Sequence, residues 1–162
     1  MSRAGSDPKL SFVYQSQPGR VVFGEGSLAK VPEEIDRLGR LRVLVIATPG
    51  RKKLADDLAA RLGSRAVGVF DRAVMHVPAE TAEAGRAEAA RLDADSYVAI
   101  GGGSATGLAK AITLVSGHPI LCVPTTYAGS EMTSTWGLTE GGIKKNARDP
   151  RVPSTEDRVR SE

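Results

Sequence analysis

Two short stretches of this sequence carry the residue types needed to meet an anion. Gly101, Gly102, Gly103 and Ser104 follow the apolar run Ser96-Tyr97-Val98-Ala99-Ile100 and precede a helical pattern from Ala105 to Val115. Glycines let a backbone approach a diphosphate closely. The first turn of the helix that follows offers unpaired N–H groups and a positive dipole end. Ser104 can cap that helix or donate its hydroxyl to a phosphate. A plain strand-to-helix turn is the alternative, but three adjacent glycines are entropically costly for a mere turn. The spacing is not G-x-G-x-x-G, so that fingerprint is not invoked. The second stretch is Pro124-Thr125-Thr126-Tyr127-Ala128-Gly129-Ser130-Glu131. Its hydroxyls could bond a ribose, a carboxamide or a phosphate. Alone, it reads more simply as a helix start capped by Ser130 or Thr133. Two such loops at one edge of a sheet favour a shared ligand cleft.

Other chemistry-bearing residues are sparse. His76 and His118 stand far apart in loop-like sequence and read as exposed or capping residues rather than metal ligands. Asp149 precedes Pro150, which is a turn signal. Glu131 reads as a first-turn helix acid. Cys122 is the single cysteine, so no intrachain disulfide can form, which fits a reducing cytoplasm.

The elements that must position the two loops follow from hydrophobic pattern. A polar stretch over residues 1–11 reads as a leader. Phe12 to Phe23 holds two short extended runs, broken at Gln17-Pro18-Gly19. Leu28, Val31, Ile35 and Leu38 recur at helical spacing and stop at Gly39. Arg42 to Ala47 is a continuous apolar run, as in a strand buried on both faces. It is followed by the turn Thr48-Pro49-Gly50. The pattern predicts a helix over 52–62, a strand over 66–70, a possible strand over 75–78, an exposed helix over 81–92 and strands over 96–100 and 119–124. Such alternation predicts an α/β fold, a Rossmann-like parallel sheet with helices on both faces, over 12–143. From 144 to 162 charge dominates and apolar periodicity fades, which predicts a disordered tail.

Composition excludes several classes. Apolar residues at 41% and charged residues at 25% describe an ordinary globular domain. The net charge of +3 is dispersed and aromatics are 4%, which argues against a nucleic-acid surface. No apolar run approaches a membrane span of roughly 20 residues.

The motifs together resemble one family. Gly-Gly-Gly-Ser-Ala-Thr-Gly-Leu-Ala-Lys-Ala-Ile at 101–112 resembles the pyrophosphate loop of iron-containing alcohol dehydrogenases, and Pro-Thr-Thr-Tyr-Ala-Gly-Ser-Glu-Met-Thr at 124–133 resembles their second cofactor loop. Gly19 to Gly24 with Gly26-Ser27 fits the family's opening. Trp136 to Lys145 and Arg148-Asp149-Pro150-Arg151-Val152 resemble the maleylacetate reductases within it. The resemblance covers about residues 12–152. It implies an NAD(P)H-dependent oxidoreductase of aromatic compound degradation that reduces the double bond of maleylacetate to give 3-oxoadipate. By match, Gly102, Gly103 and Ser104 would hold the pyrophosphate. Thr125, Thr126 and Ser130 would contact ribose and the nicotinamide side, and Thr48 and Pro49 would lie near the adenosine. NAD(H) or NADP(H) is the implied cofactor, because Thr48 stands where many dehydrogenases of the family carry a ribose-binding acid, and Arg51 is close in sequence. Gly107 stands where many carry an Asp, in the manner of maleylacetate reductases.

The same resemblance implies a second, all-helical C-terminal domain that holds the metal-site Asp and His positions, and a homodimer. That domain is expected to be absent here, so this chain is expected to be a truncated half with no metal site, inactive alone and with no assigned catalytic residue. A non-catalytic NAD(H)-binding module is the alternative from another class. A fragment of an iron-type alcohol or polyol dehydrogenase is a third.

Overall fold

The computed structural model describes residues 20–149, Val152 and the backbone of 157–160. The leader over 1–11 and the extended sequence over 12–19 lie outside the described residues. The described residues form eight strands and four α-helices, with short 3-10 turns between them. β1 (Arg20–Phe23) leads through a 3-10 turn into α1 (Val31–Arg37). Next come β2 (Val43–Ala47), α2 (Lys52–Leu62), β3 (Ala66–Phe70), α3 (Ala79–Arg91), β4 (Ser96–Gly101), α4 (Gly103–Ser116) and β5 (Ile120–Pro124). β6 (Thr135–Glu140) and β7 (Ile143–Arg148) form a separate hairpin, and β8 (Asp157–Arg160) rejoins the main sheet.

The main sheet is parallel with strand order β1-β8-β5-β4-β2-β3. Strand side chains alternate between two cores, as a period of two requires. Val43, Val45 and Ala47 face Val31 and Ile35 of α1 and Ala55, Leu58 and Leu62 of α2. Leu44 and Ile46 face Ala82 and Ala89 of α3 and Leu108, Ala109 and Ile112 of α4. Both faces are covered, which is why these strands read as continuous apolar runs. The chain steps from β2 outward to β3, then back across to β4. The strand order therefore reverses between β2 and β4, where open α/β sheets form their ligand crevice.

Three expectations need correction. Met75–Pro78 is not a strand. It is a tight turn with His76 at φ 66 and Val77 at φ 45, and Pro78 makes only an isolated bridge to Thr139. A short apolar sequence carries no information on this left-handed backbone, which the packing around it imposes. The chain from 144 is not structureless either. Residues 143–148 pair with β6 from Glu140↔Ile143 to Thr135↔Arg148. Gly141 and Gly142 at φ 56 and 79 turn the hairpin, the backbone that two-residue hairpin loops need. All of β7 is exposed, so its residues, three of them the charged Lys144, Lys145 and Arg148, show no apolar periodicity. α3 is also less exposed than its composition suggests, since Ala82, Gly85 and Ala89 are buried against α4.

Candidate functional site

The two loops meet at the carboxyl ends of adjacent strands. Gly101 pairs with Pro124 in the β4–β5 register, and the Thr125 N–H donates to the Gly101 carbonyl at 2.9 Å. Gly101, at φ 141, makes the turn out of β4. Gly102 is the N-cap of α4, so Ser104 lies inside the helix and caps nothing. No side chain caps this first turn. Its N–H groups are thus open to an anion in front of the helix. A β-carbon on Gly102 would stand 2.9 Å from Thr126 Oγ1, so the loops touch there. Thr125 Oγ1 is buried and lacks a hydrogen-bond partner among the described residues. A buried hydroxyl in that state is an unmet polar group awaiting a partner.

A cleft of about 510 Å³ opens beside these loops. Gly103, Ser104 and Ser130 line it, as do His76, Trp136 and Lys144. Thr48 and Pro49 sit on the same sheet edge, at the end of β2, but outside the lining. Gly102, Thr125 and Thr126 also lie outside the lining, at the contact between the two loops, so Gly103, Ser104 and Ser130 are the sequence-predicted residues that the cleft itself takes in. Among the described lining residues none is Asp or Glu, whereas Lys144 and the α4 N-terminus are positive. Ser130–Met132 is only a 3-10 turn with Gly129 as its N-cap, so neither Ser130 nor Thr133 caps a longer helix. Glu131 is buried in that turn. His118 lies far from the cleft, against the Tyr97 ring. Val152 N–H bonds the Asp149 carbonyl, the turn that Asp149-Pro150 foretold. Among the described residues no group of three His, Cys, Asp or Glu stands together as a metal site. No helix there is long and apolar enough to cross a membrane.

His76 reads from the sequence as an exposed or capping loop residue, and Trp136, Lys144 and Lys110 enter only within the motifs of the resemblance; sequence reasoning assigned none of the four to the site, although His76, Trp136 and Lys144 line the cleft. His76 and Lys144 come to the cleft from a turn and a hairpin invisible to periodicity. Lys110 had a signal: it is a lone cation within the apolar run of α4. It is buried, and its ammonium donates to the carbonyls of Ser130, Thr133 and Thr135 at 2.6, 2.6 and 2.9 Å.

Fold and cleft together define an open, doubly wound α/β domain whose glycine loop and hydroxyl loop flank the crevice. The chain belongs to the iron-containing alcohol dehydrogenase family, whose model it matches over residues 18–155. It is 56% identical over 142 residues to the maleylacetate reductase of Burkholderia cepacia, covering 88% of this chain and 40% of that protein. The crystal structure of maleylacetate reductase from Agrobacterium tumefaciens superposes with a TM-score of 0.90 at 45% identity, over 94% of this chain and 43% of that one. The enzyme from Rhizobium sp. strain MTP-10005 gives 0.89 at 47%, over 93% and 43%. The chain thus spans about 40% of the length of the curated relatives it matches.

Proposed function

We propose that this chain is the nucleotide-binding half of an NAD(P)H-dependent reductase of the maleylacetate reductase type. The observation that carries this reading is the sign of the cleft. Gly103 and Ser104 bring an uncapped helix N-terminus to it, Lys144 adds a cation, and no carboxylate lines it among the described residues. Both proposed reactants are anions, one a diphosphate and the other a dicarboxylate. The relatives' names supply the reaction.

The backbone of Gly102 and Gly103 and the Ser104 hydroxyl would hold the diphosphate. Thr125, Thr126 and Ser130 would take the ribose and nicotinamide side, and the unpartnered Thr125 Oγ1 fits that role. Thr48 and Pro49 would border the adenosine. Thr48 carries no charge, so a ribose 2′-phosphate is not repelled, and both NADH and NADPH fit. When bound, the cofactor supplies a hydride to the carbon–carbon double bond; with one proton, maleylacetate becomes 3-oxoadipate. The chain's own part is to orient the cofactor and keep one wall of the cleft free of competing negative charge.

A non-catalytic NAD(H)-binding module is the second reading. It is favoured by the titratable content of the cleft, which among the described residues is His76 and Lys144 alone. Calorimetric titration of the purified chain with NADH and NADPH, beside an assay of maleylacetate-dependent NADH oxidation, separates the readings. We expect binding without turnover. Turnover by the 162-residue chain would place catalysis within it. Failure to bind either nucleotide would overturn the site.

A further inference from the structure

Lys110 sits midway along α4, facing away from solvent, with about 1% of its surface exposed. Burying an ammonium is costly unless it is fully hydrogen-bonded. Here three carbonyls meet its three N–H donors. Ser130 O and Thr133 O lie at 2.6 Å and Thr135 O at 2.9 Å, with Ser130 Oγ further off at 3.4 Å. The chain from Ser130 to Thr135 is thereby wrapped around one cation. That segment carries Ser130 into the cleft and leads directly into Trp136, which also lines it. The same helix begins at Gly103 and Ser104, the first cofactor loop. One side chain therefore ties the helix of the first loop to the backbone of the second.

We propose that Lys110 is a positioning residue. Its ammonium holds Ser130–Thr135 against α4 and so sets the shape of the cleft wall. The consequence for nucleotide affinity rests on the function proposed above; the holding role does not. Without the ammonium, the Ser130, Thr133 and Thr135 carbonyls lose their shared cationic donor, with the longer Thr133 N–H bond at 3.3 Å left on Ser130 O, and the segment has reason to leave α4 and seek water. A residue that merely filled space would be replaced without loss by an apolar chain of the same length.

Trp136 is the only tryptophan, and its indole nitrogen is buried, so its fluorescence reports the segment directly. The test compares the wild-type chain with Lys110→Met and with Lys145→Met, an exposed hairpin lysine paired to Glu140. Lys110→Met is expected to keep its far-ultraviolet circular dichroism. Its Trp136 emission should shift to the red and its acrylamide quenching should increase, while Lys145→Met matches wild type. NADH affinity of Lys110→Met should fall roughly tenfold or more, the size expected for losing one well-placed group. Unchanged emission and quenching in a folded Lys110→Met would overturn the proposal. If those signals move while the wild type itself binds no NADH, the holding role stands and the function proposed above falls. If Lys110→Met does not fold, lysine-selective ¹⁵N NMR of the wild type decides. One ammonium with slowly exchanging protons is expected, and its absence would overturn the proposal.

Discussion

Val77 closes over Gly107: its Cγ2 lies 2.9 Å from where a β-carbon on Gly107 would stand. Val77 reaches that place from φ 45, directly after His76 at φ 66. A β-branched residue in this region is an outlier that costs on the order of 1–3 kcal/mol and persists only when its surroundings enforce it. Thr139 of β6 does so. Its Oγ1 donates to the His76 carbonyl at 2.8 Å and its N–H to the Val77 carbonyl at 3.0 Å. The turn that walls the cleft thus fills the volume that an Asp at position 107 would need.

Gly107→Asp should therefore destabilise the chain by roughly 1–3 kcal/mol through overpacking. A double-mutant cycle isolates the contact. Gly107→Ala should be worse tolerated beside Val77 than in a Val77→Ala background, with a coupling on the order of 1 kcal/mol. The general gain of alanine over glycine in a helix cancels between the two backgrounds. Urea unfolding of the four proteins measures it. Equal effects of Gly107→Ala in both backgrounds would show that the contact is slack.

Gly102→Val should remove most NADH affinity and leave the fold largely intact. The reason is steric, since Gly102 itself has a negative φ of −91. Its side-chain position faces Thr126 Oγ1 at 2.9 Å, so a branched group must push the two loops apart. Gly102→Ala, which the exposed Thr126 can partly accommodate, should weaken binding less. Calorimetric titration, with circular dichroism as the folding control, ranks the three proteins. Equal affinity across a folded series would move the diphosphate elsewhere.

The sheet was legible because its strands are buried on both faces. Val43–Ala47, Ser96–Ile100 and Ile120–Pro124 announce themselves as apolar runs, and Lys52–Leu62 as a helix. The place of the glycine loop, between β4 and α4, was legible because three glycines after such a run mark the turn out of a buried strand into a helix. The walls of the cleft were not. His76 arrives through a left-handed turn held by Thr139, which is 63 residues away in sequence. Lys144 and Trp136 arrive on a ribbon whose β6–β7 pairing shows no apolar pattern, although Gly141-Gly142 was a hairpin signal. The β8 pairing is a long-range contact written in charged residues, and nothing local encodes it.

Acid should remove one specific contribution to stability. Glu34 is buried, and its carboxylate accepts bonds from Arg20 Nε at 2.9 Å, Arg20 Nη2 at 3.0 Å and Arg37 Nε at 3.1 Å. The Arg20 hydrogen bonds foremost, with those of Arg37, hold its pKa below the ordinary carboxylate value against the opposing effect of burial. A pKa depressed by folding stabilises the native state above the unfolded value of about 4.3, and that contribution is lost as pH falls through the folded one. Glu34→Gln should thus cost roughly 1–2 kcal/mol at pH 7, kept modest because both arginines are half-exposed, and less at pH 3. Urea unfolding of both proteins at the two pH values checks it. A difference that stays constant would mean the loss is one of packing, not charge.

Thr48→Asp should shift cofactor preference toward NADH. Thr48 ends β2 beside the crevice, in extended backbone at φ −82 and ψ 158. Its side chain does not cap the 3-10 turn that follows, and its carbonyl already accepts the Arg51 N–H at 2.9 Å. A carboxylate there could therefore turn to the ribose without breaking local structure. It would accept hydrogen bonds from the free hydroxyls of NADH and repel the 2′-phosphate of NADPH. Two like charges about 4 Å apart at a partly exposed site cost on the order of 1–4 kcal/mol. That is roughly 5-fold to several-hundred-fold in the ratio of affinities. Arg51, exposed at the end of this turn, should place the shift toward the lower end by partly neutralising the new charge. Salt screens exposed charges, so the ratio should also shrink as ionic strength rises. Dissociation constants of both cofactors for wild type and Thr48→Asp, each at two salt concentrations, measure the effect. An unchanged ratio would mean that position 48 does not face the ribose and that the adenosine end of the cofactor lies along another strand.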